Sequence, residues 1–222
     1  MMTGFRRLSS LLAALLVGTS AASAGSLYDW SGLYVGATAG YGMGEYDQYA
    51  AGYPGTPGIF GRDMKGLVGG ATVGYNYQSN QFVFGLEADF QASGIGGTAG
   101  TIPAWTCNTA SCVNDVDWFA TLRGRLGYAF DGYLPFVTGG LAYANVKSRD
   151  GNPSVPGVTD LDENVFGYAI GAGIEKALSE NVTAKIEALY VDLNKAEVRR
   201  SNYTFTSDDQ FAVVRVGLNW KF

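Results

Sequence analysis

The sequence predicts an all-β fold, an eight-stranded antiparallel transmembrane β-barrel with short turns on one rim and four long loops on the other. Three observations carry this reading: eight segments of alternating polarity, a strict alternation of short and long links, and apolar faces that run on to a terminal aromatic. In the last segment Ala212, Val214, Val216, Leu218, Trp220 and Phe222 share one face, while Arg215, Gly217, Asn219 and Lys221 lie on the other. A soluble antiparallel strand can show the same pattern with its apolar side on a core, so the choice of solvent rests on the rest of the chain.

At the start of the chain, Arg6 and Arg7 precede an apolar run over residues 11–17, and Ala22, Ser23 and Ala24 supply small residues before a cleavage point. Residues 1–24 therefore read as a secretory signal peptide, leaving 25–222 as one barrel domain. The run is too short for the roughly 20 apolar residues of a spanning helix. The eight segments then follow at about 31–44, 65–78, 81–91, 116–130, 133–145, 164–177, 181–194 and 210–222. After the second, fourth and sixth come tight links at residues 79–80, 131–132 and 178–180, rich in residues that tolerate turn conformations. After the first, third, fifth and seventh come long Gly-, Pro- and Asp-rich stretches at 45–64, 92–115, 146–163 and 195–209. Short periplasmic turns, long extracellular loops and an even strand count are the asymmetry of an outer-membrane barrel.

The faces favour a membrane. Phe82, Phe84, Leu86, Ala88 and Phe90 oppose Val83, Gly85, Glu87, Asp89 and Gln91, and Trp118, Ala120, Leu122, Leu126 and Tyr128 oppose Asp117, Phe119, Thr121, Arg123 and Arg125. In a lipocalin-like barrel those charges would face water; in a membrane they point inward. Aromatics at segment ends (Tyr28, Trp30, Tyr75, Tyr77, Tyr128, Phe130, Trp220, Phe222) fit girdles at headgroup depth. A closed barrel also needs no polar tail beyond its last strand, because closure removes the edge.

An eight-stranded barrel is just wide enough for side chains to fill it. The expected interior network comprises Glu87, Asp89, Asp117, Glu175 and Glu187 with Arg123, Arg125, Lys185 and Arg215, and the inward Gly36, Thr38, Gly40, Gly70, Thr72 and Gly74 leave room for those long side chains. A plug of ion pairs is expected over an open pore. Chemistry is sparsely represented. The chain has no histidine, which removes Ser/His/Asp and Cys/His catalysis and imidazole metal ligation. Glu87 and Glu187 can be posed as a glycosidase pair, but basic partners nearby weaken that reading. Residues 94–99 (GIGGTA) mimic a dinucleotide fingerprint without opening a helix. No cofactor or metal is expected. The net charge of -5, more acidic still once Arg6 and Arg7 leave, excludes nucleic acid as a partner. Tyr46, Tyr49, Tyr53, Trp105, Tyr203 and Phe205 in the long links could meet a surface ligand or pack on one another.

Four stretches carry a family resemblance: residues 29–36 (DWSGLYVG), 122–128 (LRGRLGY), 137–143 (VTGGLAY) and the end FAVVRVGLNWKF. Together they resemble the small porin-like outer-membrane proteins of rhizobial-type alphaproteobacteria, eight-stranded relatives of the OmpA membrane domain. The resemblance covers essentially the whole mature chain. It implies an abundant, non-enzymatic barrel of the outer membrane, surrounded by lipid and lipopolysaccharide, with structural, antigenic and sometimes haemin-binding roles among members. The alternative is a narrow channel or a haemin- or ligand-binding receptor. Haemin is disfavoured by the missing histidine, although tyrosine can ligate haem iron. The resemblance also implies that the barrel-assembly machinery reads Val216, Leu218, Trp220 and Phe222.

Two expectations are testable at this level. Cys107 and Cys112, the only cysteines, lie five positions apart in a chain bound for an oxidising compartment and are expected to form a disulfide worth about 2 kcal/mol. Thiol labelling of unreduced, denatured protein should then find no reactive sulfur, and two would overturn the pairing. Deleting Phe222 removes one ring, worth at most about 1.5–3 kcal/mol, yet it should lower outer-membrane levels far more than that. Appending a polar tail should do nearly the same with every barrel contact kept. Normal membrane levels of the tailed variant would make Phe222 a packing residue instead.

Overall fold

The computed structural model describes residues 28–51, 59–98, 112–150, 161–194, 196–200 and 203–222. The strands are β1 (Gly32–Ala51), β2 (Ile59–Ser79), β3 (Phe82–Thr98), β4 (Cys112–Tyr128), β5 (Tyr133–Asp150), β6 (Leu161–Ala177), β7 (Val182–Leu193), β8 (Ala196–Arg200) and β9 (Tyr203–Lys221). Each pairs antiparallel with its neighbour, and β1 pairs with β9 from Tyr34↔Lys221 to Ala51↔Thr204, which closes the ring. The closed barrel has eight strands, because β8 takes up the loopward end of β9 where β7 leaves it: Asp192↔Gln210 is the last β7 pair and Ala196↔Ser207 the first β8 pair.

The strands therefore run well past the segments read from alternation. The β1–β2 ladder continues to Tyr49↔Ile59, β3 reaches Thr98 and so takes in much of the glycine-rich stretch at 94–99, and the link expected at 195–209 is largely strand. Side-chain alternation reports where one face meets hydrocarbon; backbone pairing propagates beyond that limit, so strand ends and the end of the pattern do not coincide.

On the other rim the links are short. Asp131 and Gly132 both have positive φ, 45° and 73°, and Phe130 and Tyr133 exchange two backbone hydrogen bonds of 2.9 and 2.8 Å across them. Positive φ at both central positions is the type I′ hairpin, whose twist matches its strands and which an Asp-Gly pair favours. Asn80, at φ 55°, turns β2 into β3. Asp29 sits before β1 and accepts the Ser31 backbone N–H at 2.9 Å, a bond that lowers its pKa.

Outward positions form the lipid band. Leu67, Leu86, Val137, Leu141, Ile170 and Leu218 are all exposed, an arrangement that only a hydrocarbon solvent rewards. Near the loops, Phe90, Trp118, Tyr143 and Phe166 touch in series across β3 to β6 at ring separations of 5.5, 5.6 and 4.4 Å. Tyr75, Tyr77, Phe82, Tyr128 and Trp220 ring the turn side, again exposed. Trp30 departs from its expected place in this girdle. It is only 2% exposed and forms, with Val83, Ala129 and Leu134, an apolar cluster inside the barrel at the turn rim, with Tyr28 edge-on at 4.8 Å.

Candidate functional site

The site with most chemistry is the barrel interior. Inward positions of β3, β4, β6, β7 and β9 deliver Glu87 and Asp89, Arg123 and Arg125, Glu175, Lys185 and Glu187, and Arg215, all buried. Space for them comes from strand faces that lack side chains. A Cβ on Gly40 would stand 2.6 Å from that of Arg215, and one on Gly85 would stand 2.6 Å from Cγ of Arg125. Both glycines are therefore required by close approach rather than by backbone conformation.

Arg123 is the hub. Its Nη2 donates to Glu87 Oε1 at 2.6 Å and Asp89 Oδ2 at 2.8 Å, its Nη1 to Glu187 Oε1 at 2.7 Å, and its Nε to the Thr121 hydroxyl at 2.8 Å. Arg215 reaches the same carboxylates from β9, donating through Nε to Glu187 Oε2 at 2.8 Å and through Nη1 to Asp89 Oδ1 at 3.0 Å. Lys185 donates to Glu87 Oε2 at 2.7 Å. A second group lies towards the turns, where Arg125 donates to Glu175 Oε2 at 2.7 Å with its guanidinium 4.2 Å over the Phe136 ring. Glu175 also accepts from Asn219 at 2.7 Å and from the Thr183 hydroxyl. Tyr34 joins the two groups: its hydroxyl donates to Glu87 at 2.8 Å and accepts from Arg125 at 3.1 Å. Four carboxylates thus meet four cations, and an apolar cluster lies on either side. The turnward cluster is that of Trp30, and a larger loopward one includes Met64, Ile95, Phe119, Leu193 and Phe211.

Asp117 does not join this network. The register shifts between Val116 and Trp118, so that Val116↔Val146 follows directly on Trp118↔Asn145 and Asp117 is an extra residue in β4. Such a bulge reverses the inward–outward alternation beyond it, which strict period two cannot show. Val116 consequently fills the interior, and Asp117 pairs with Lys147 at 2.7 Å in a partly exposed position. Its departure leaves the central network with four carboxylates and four cations. The expected network omits Tyr34, Thr183 and Asn219, although continuing the alternation of β1, β7 and β9 places all three inside. Asp209 is buried too, one residue before the expected start of the last segment. Val216, Leu218, Trp220 and Phe222 line the exposed outer face of the terminal segment. Cys107 lies outside the described residues, as do residues 1–24, and of Cys112 only the backbone is described.

A family model described as the outer membrane protein beta-barrel domain matches residues 10–222. The chain belongs to that family. The 31 kDa outer-membrane immunogenic protein of Brucella melitensis is 37% identical over 88% of this chain and 85% of its own length. The 22 kDa outer membrane protein of Rhizobium leguminosarum is 28% identical over 87% and 78%. Among solved structures, the outer membrane protein OprG of Pseudomonas aeruginosa shares the fold at a TM-score of 0.50 and 12% identity, covering 86% of this chain and 97% of that one. The rhizobial-type resemblance read from the four sequence stretches therefore holds, and this is an outer-membrane β-barrel protein of Gram-negative type.

Arg123→Ala should cost about 3–5 kcal/mol, because it leaves the buried Glu87, Asp89 and Glu187 with one cation too few among them. Urea unfolding of lipid-refolded protein reads the loss. Wild-type stability in Arg123→Ala and Arg215→Ala alike would mean that water already screens the interior.

Proposed function

We propose that this protein is a closed, non-enzymatic barrel that contributes to envelope integrity and carries surface contacts on its loops. The observation behind this reading is the charge-balanced belt held between two apolar clusters. A channel needs a wet, continuous path, and here the Arg123 and Arg215 guanidinium groups stand across the lumen with carboxylates on both sides. The same pairing argues against catalysis. Glu87 and Glu187 are both bound to Arg123, so neither is a free acid or base, and a chain without histidine lacks the usual proton shuttle.

The remaining parts of the reading rest on sequence and family. Residues 1–24 are removed on export, Cys107 and Cys112 stiffen a surface loop, and Val216, Leu218, Trp220 and Phe222 present the last strand to the assembly machinery. Lipid and lipopolysaccharide surround the apolar band. Relatives named immunogenic support a surface-exposed role for the loops here.

Planar-bilayer recording of refolded protein tests the closed interior. No steady conductance above the bare membrane is expected. Reproducible conductance steps would overturn the plug and favour the narrow-channel alternative.

A further inference from the structure

Among the described residues the outer wall is not evenly covered, and one dent on it has the polarity of a lipid. A groove of about 580 Å³ runs over β9 and its neighbours. Following paired residues across the strands, Ala37 faces Leu218, Leu218 faces Ala184, Ala184 faces Lys176, and Lys176 faces Tyr133. The adjacent row is apolar throughout: Ala39, Val216, Ile186 and Ile174. All these residues line the groove. Barrel strands are tilted, so a row along the hydrogen bonds climbs the wall obliquely. One end lies in mid-wall at Ala37, the third outward position of β1. The other reaches the turn rim at Tyr133, the first residue of β5. Alanines at 37, 39 and 184 hollow the mid-wall end, and the rim end carries the exposed Lys176, its Nζ 4.9 Å from the centroid of the Tyr133 ring.

From this geometry we infer that the groove holds one anionic glycerophospholipid of the turn-side leaflet, its acyl chain on the alanines and its phosphate at Lys176. An acyl chain fits because the mid-wall end is recessed between Leu218, Val216 and Ile186, where a bulkier wall would leave no room. An anionic headgroup fits because a lysine at the rim of an otherwise apolar wall lies at headgroup depth, where it extends to the interface. The Tyr133 hydroxyl and, more weakly, Asp131 in the adjoining turn lie in the field of Lys176, but exposed contacts of this kind are weak and leave the ammonium available to phosphate. A second copy of the chain is the less fitting occupant, since it would have to cover Lys176 without any carboxylate among the outward residues of these two rows.

Native mass spectrometry of the refolded full-length mature protein, with palmitoyl-oleoyl phosphatidylglycerol or phosphatidylcholine added to the detergent, tests the assignment. Wild type should retain one phosphatidylglycerol about fivefold better than phosphatidylcholine, the ratio that corresponds to ~1 kcal/mol for one cation near an anionic surface. Lys176→Gln should bring the two lipids level. Ala184→Leu, which fills the groove, should lower retention of both, while a gel migration that differs between unboiled and boiled samples shows that each variant is still a closed barrel. Equal retention of the two lipids by wild type, an unchanged preference in Lys176→Gln, or a dimer that Ala184→Leu dissociates would each overturn it.

Discussion

A backbone amide in hydrocarbon has no water to turn to, and the whole of this architecture follows from that. Each strand must find its partners in other strands, so the chain has to return to its beginning, and the β1–β9 ladder is where it does so. Closure then fixes the sides. Once the ring is shut, a residue faces either lipid or lumen, and period two distributes the chain between them. The exposed leucines and aromatics on one side and the buried arginines on the other are two results of one constraint.

The interior is accordingly the inverse of a soluble core: polar at its centre and apolar at its two ends. Ion pairs in such a place carry a desolvation cost that only good geometry offsets. Here Arg123 is met by three carboxylates and Arg215 by two that they share, so no charge in the central group stands alone. These contacts reach across the lumen. Asp89 on β3 and Arg215 on β9 are distant in the chain and joined through the middle of the barrel, a brace that the ladder hydrogen bonds cannot supply.

Much of this was legible in the sequence, for physical reasons that also explain what was not. Strand count and closure follow from alternation and link lengths, and eight of the nine interior charges expected from alternation are buried in the network. Asp117 failed because a bulge is a register event, invisible to a rule that counts residues along one strand. Trp30 reads as a girdle residue in the sequence, because an aromatic near a strand end looks the same whether it faces lipid or caps the lumen. The loopward extensions, including β8, were missed because outside the bilayer a strand is held by its backbone alone and leaves no hydrophobic signature. Which carboxylate meets which cation needed the structure, since partners such as Glu87 and Lys185 lie 98 residues apart.

The glycines that make room for the arginines carry one more consequence. On β1, the inward positions after Tyr34 read Gly36, Thr38, Gly40, Gly42 and Gly44, and this is the strand that meets β9 at the join between the two chain ends. Its inner face is almost smooth, whereas β9 brings Phe211, Val213, Arg215 and Asn219 to the same join. Of the two edges of the seam only one has teeth. A Cβ on Gly36, Gly40 or Gly44 would stand 2.7, 2.4 or 2.3 Å from a carbonyl oxygen of β9, so the crowded face of β9 fits at the seam against bare backbone.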